Sequence, residues 1–79
     1  MNPVPAAIPL PFASPGEPVR ITGIGHGRDL EKRLAAMGLA LGSELCLMQQ
    51  EGGNLVVAVG NTRLALGHGL AQKVLVTPV

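Results

Sequence analysis

A chain of 79 residues with one aromatic side chain, one cysteine and a net charge of +1 has room for a single small domain. Phe12 alone cannot supply the stacking platforms of single-stranded nucleic-acid binders or the aromatic grooves that hold proline-rich peptides. Six Lys and Arg against five Asp and Glu fall short of the basic stripe that duplex binding needs, so no nucleic-acid partner is expected.

Six of the seven prolines are Pro3, Pro5, Pro9, Pro11, Pro15 and Pro18. Proline has no N–H for a sheet ladder or helix interior. Residues 1–17 are therefore expected to be an extended, mostly unpaired tail, with the folded domain spanning residues 18–78. Ile8, Leu10 and Phe12 alternate within the tail and could lie on the body or on another copy.

From Pro18 onward Val19, Ile21 and Gly23 alternate with Arg20, Thr22 and Ile24, the period of a half-buried strand. Gly25-His26-Gly27 ends it. Asp29 can cap a helix, in which Leu30, Leu34 and Met37 share one face while Arg28, Lys32 and Ala36 lie on another. Gly38 falls at the C′ position and Leu39 at C″, where it can close on Leu34 in a Schellman motif.

Three extended segments follow the Leu41-Gly42 turn, at residues 44–50, 54–59 and 62–66. Glu51-Gly52-Gly53 separates the first two, and Gly60-Asn61 is a good two-residue hairpin turn between the second and third. Residues 67–71 read as a short turn or a single helical turn. Residues 73–77 form the last strand, with Val74 and Val76 on one side. The expectation is a mainly-β fold: a small five-stranded barrel with one α-helix inserted after the first strand. Closing the barrel would hide edges that short strands otherwise expose.

Cys46 excludes an internal disulfide and any Cys-x-x-Cys site. A small domain without disulfides fits a reducing compartment. Leu55 to Val59, the longest apolar run of the folded part, is too short to cross a bilayer, and the N-terminus lacks the pattern of a signal peptide. A cytoplasmic location without direct membrane insertion is expected.

Gly23-Ile24-Gly25-His26-Gly27 lacks the third spacing of a dinucleotide-binding loop, and no Gly-Lys-Ser/Thr is present, so it reads as a strand-to-helix connection. His26, His68 and Cys46 are the softest potential metal ligands, with Asp29, Glu31, Glu44 and Glu51 as harder ones. A tight site needs three or four converging ligands, and none of these lies at a chelating spacing. No cofactor is required. A zinc or ferrous-iron site at His26 and His68, shared between copies rather than within one, is the alternative. Cys46, Ser14 and Ser43 have no evident base, so an enzyme is not expected.

The surface remains. Arg28 and Lys32 form one exposed row, for which a solubilising helix face is the simpler reading. Leu39 and Leu41 are less ordinary, because one must cover the helix end while the other has little to cover it. Apolar groups rimmed by charge mark a docking site, and Arg28, Lys32, Leu39 and Leu41 are the candidate partner-binding residues.

Three pieces of the chain resemble the FeoA-like family (ferrous iron transport protein A): Val19-Arg20-Ile21-Thr22-Gly23, the stretch from Arg33 to Ser43, and Arg63-Leu64-Ala65-Leu66 with Ala71 and Val74 following. The resemblance spans residues 19–76. It implies an SH3-like barrel and a non-catalytic accessory protein for ferrous iron uptake. Its implied partner is the cytosolic G-protein part of the FeoB membrane transporter, which would hold it peripherally at the inner membrane. A transition-metal binding or sensing module is the alternative function, and a weak homodimer is allowed. Leu41 stands where the family usually has proline, and Gly67 where a basic residue is common. Similar domains end iron-dependent repressors, but nothing here supplies a helix-turn-helix.

Overall fold

The computed structural model describes residues 6–25 and 27–79. Among the described residues six strands form one antiparallel sheet: β1 (Ile8–Pro9), β2 (Pro18–Ile24), β3 (Glu44–Glu51), β4 (Asn54–Val59), β5 (Thr62–Gly67) and β6 (Val74–Pro78), in the order β1-β6-β2-β3-β4-β5. Helix α1 (Gly27–Ala36) is inserted between β2 and β3, and α2 (His68–Ala71) is a single helical turn between β5 and β6. The mainly-β, SH3-like architecture expected from the sequence is the one observed.

Period-two alternation builds the core. Val19 and Ile21, Leu45 and Leu47, Leu55 and Val57, Leu66, and Val74 and Val76 all point inward and form one cluster with Leu30, Leu34 and Leu39. Burying each such side chain contributes about 1.5–3 kcal/mol. Among the described residues no polar or charged residue is buried with them. The Gly60-Asn61 hairpin pairs Val59 with Thr62 as the spacing predicts, with Gly60 at φ 58°.

The helix stop is the expected Schellman motif. The Leu39 N–H donates to the Leu34 carbonyl at 2.8 Å and the Gly38 N–H to the Ala35 carbonyl at 2.9 Å. These are the 6→1 and 5→2 bonds of that closure, and Gly38 takes the left-handed φ of 87° that it demands.

The N-terminal segment corrects the sequence reading. Residues 8–16 are no unpaired tail: Ile8 pairs with Val76 and Pro9 with Leu75, adding a sixth strand to the expected five. A 3₁₀ turn at Leu10–Phe12 follows, and Leu10 is fully buried. The Gln50 side chain donates to the Pro11 carbonyl, and the Gly16 N–H donates to the Leu47 carbonyl at 2.8 Å. Proline is tolerated because β1 is an edge strand, where a missing N–H need cost no ladder bond.

Candidate docking groove

Helix α1 turns Leu30 and Leu34 onto the barrel and leaves Arg28, Glu31, Lys32 and Ala35 outside. Past the Schellman closure the chain must reverse into β3, and it is pinned while doing so. The Gly42 N–H donates to the Ile21 carbonyl at 2.8 Å, the Ile21 N–H to the Ser43 carbonyl at 2.9 Å, and the Ser43 N–H to the Ala40 carbonyl at 2.9 Å. The Ala40 N–H adds a bond to the Ser43 Oγ at 3.1 Å. With the backbone held on both sides, Leu41 points outward and is 57% exposed.

The result is an open groove of about 370 Å³ lined by Ile24, Glu31, Lys32, Ala35, Ala40 and Leu41. Small Ala35 and Ala40 leave the space, Ile24 and Leu41 give it apolar walls, and Glu31 and Lys32 place one charge of each sign on the helix side. Such a surface can accept an apolar side chain and orient it by charge at the rim.

Of the residues predicted to bind a partner, Lys32 and Leu41 line this groove together. Arg28 is exposed one turn earlier on α1, outside the lining. Leu39 is a correction. At 1% exposure it is part of the core, because the Schellman closure folds C″ back under the helix, so it cannot touch a partner. Ile24, Ala35 and Ala40 were missed. The available signal was Ile24, an apolar residue that simple alternation sets outward; the bulge between Ile21 and Gly23 instead places it opposite Val74, half-buried at the groove wall, and the alanines carry no signal.

His26 lies outside the described residues. His68 is exposed on α2, its Nδ1 3.2 Å from the Gln72 Nε2. Among the described residues no three of His, Cys, Asp and Glu come together as a metal would need, and no helix is long and apolar enough to cross a membrane.

The FeoA domain family model matches residues 8–78. The "Putative Fe(2+) transport protein A" of Methanocaldococcus jannaschii is 35% identical over 68 residues, covering 86% of this chain and 83% of that protein. A crystal structure of an iron uptake regulatory protein (FeoA) superposes with a TM-score of 0.84 at 30% identity, over 94% of this chain and 99% of that one. A manganese-dependent transcriptional repressor shares the fold at TM-score 0.84 and 24% identity, over 98% of this chain but only 44% of its own.

Proposed function

The chain belongs to the FeoA domain family, and from that premise we propose that it is a non-catalytic accessory protein of ferrous iron uptake. It binds the cytosolic G-protein part of a FeoB-type membrane transporter and modulates it, and this contact holds it at the cytoplasmic face of the membrane. The observation that carries the reading is the groove, with Leu41 held outward beside Lys32. A solvent-facing leucine fixed by backbone bonds on both sides is what a docking anchor requires.

Docking places an apolar side chain of the transporter between Ile24 and Leu41, while Arg28 and Lys32 steer the approach. Ferrous iron is the transporter's cargo on this reading, and the accessory chain needs no resident metal. Titrating chelator-treated protein with Zn²⁺ or Fe²⁺ is expected to give no stoichiometric binding tighter than micromolar. Tight binding that is lost on changing His26 or His68 would favour the sensing module instead.

Calorimetry of the chain against the purified cytosolic domain tests the proposal directly. Leu41→Ser is expected to weaken binding about tenfold or more, the worth of one buried leucine. Absence of any binding by the parent chain would overturn the adaptor reading. Binding that Leu41→Ser leaves intact would move the contact off the groove.

A further inference from the structure

The two edges of the sheet are built differently. One is β1, two residues long and ending in Pro9. The other is β5, paired to β4 in unbroken register from Val59–Thr62 to Asn54–Gly67, with neither proline nor bulge. Short strands, prolines, bulges and charges are how sheets guard their edges. Apart from Arg63, β5 has none of them.

The hairpin decides which backbone groups face out. Val59 and Thr62 flank a two-residue turn and therefore exchange both hydrogen bonds, and every second pair, Val57–Leu64 and Leu55–Leu66, repeats this. The His68 N–H donating to the Gly53 carbonyl at 2.7 Å is a further rung of the same phase. Arg63, Ala65 and Gly67 thus turn their N–H and C=O groups away from β4. All three are exposed, and among the described residues no strand pairs beyond them.

We propose that the β5 edge pairs with the same edge of a second copy, antiparallel about a two-fold axis at Ala65. Each copy then offers donors and acceptors from the same three residues. Ala65 meets its counterpart, and Arg63 of each copy lies opposite Gly67 of the other. Nothing stands above Gly67 within 4 Å of where a Cβ would be, so the arginine can cross it toward Asn54, the residue paired with Gly67. That row continues to Glu51, an exposed carboxylate paired with Asn54, so the cation is directed toward an anion. The two Arg63 positions are offset by four residues, about 13 Å along the strands, beyond the screening length of about 8–10 Å.

An edge contact of this length buries less than a standard interface, so a weak dissociation constant of about 10⁻⁴ M is expected. The contact does not depend on the groove beside α1.

Sedimentation equilibrium across concentrations spanning that constant, with amide hydrogen exchange, tests it. The mass is expected to rise from one chain toward two, and the Arg63 and Ala65 amides to gain protection as it does. Ala65→Pro removes the central donor at an edge position its own hairpin does not use. Ala65→Lys sets like charges opposite each other at the axis. Both are expected to remain monomeric and folded, while Leu41→Ser dimerises like the parent. A parent chain monomeric throughout would overturn the proposal, as would Ala65→Lys dimerising unchanged. Protection of these amides by the transporter domain but never by concentration would overturn it too, and assign the edge to that partner.

Discussion

Leu34 joins three parts of the molecule. Its side chain is fully buried, its place on α1 holds the helix to the barrel, and its carbonyl accepts from the Met37 N–H at 2.9 Å and the Leu39 N–H at 2.8 Å. Leu34→Ala keeps those backbone bonds and removes only the packing, costing about 2–5 kcal/mol. A chain of this length is stabilised by about 4–12 kcal/mol in all, so thermal unfolding should fall steeply, and an unchanged melting temperature would show that the side chain does not anchor the helix. Gly38 separates backbone from packing in the opposite way. A Cβ there meets nothing within 4 Å, yet φ is 87°. Gly38→Ala therefore costs only the left-handed strain, about 1–2 kcal/mol, and Gly38→Asn should recover part of it in the same thermal measurement.

At the scale of elements, what was legible in the sequence followed from local rules. The alternation in Val19 and Ile21, the Gly60-Asn61 turn and the Gly38-Leu39 stop each depend on residues close in the chain, and each is where its pattern put it. The segment around Leu10 was not legible, because its reasons are distant. β1 exists only because Val76 and Leu75 lie beside it, and the turn at Leu10–Phe12 rests on β3, β6 and α2, from the far half of the chain. Prolines argue against a ladder in general but not at an edge. Leu10→Ala is accordingly expected to cost about 2–5 kcal/mol, as in any core position. Denaturant unfolding should show this as a lower midpoint with an unchanged slope; a parent-like midpoint would return the segment to the status of a tail. The groove divides similarly. Leu41 and Lys32 stood out as an exposed leucine near a basic row, whereas Leu39, although expected at C″ of the Schellman stop, stayed among the partner-binding candidates until its burial removed it.

For the whole molecule, the separation of core from groove makes docking testable without damage to the fold. Leu41 is not part of the buried cluster, and the turn around it is fixed by backbone bonds that survive a change of side chain. Leu41→Ser should therefore leave the melting temperature nearly unaltered while weakening the proposed transporter contact. Arg28→Glu with Lys32→Glu is expected to act differently. Both side chains are exposed, and on the proposed docking they act as rim charges, Lys32 at the groove edge, so reversing them should lower the association rate more than it raises dissociation. The effect should shrink with added salt, since the screening length falls to about 3 Å at 1 M. Surface-binding kinetics at low and high salt would read both variants on one instrument. The expected pair is a salt-insensitive loss for Leu41→Ser, carried by dissociation, and a salt-sensitive loss for the charge reversal, carried by association. A destabilised Leu41→Ser together with unaltered kinetics for the charge reversal would place the contact elsewhere on the barrel.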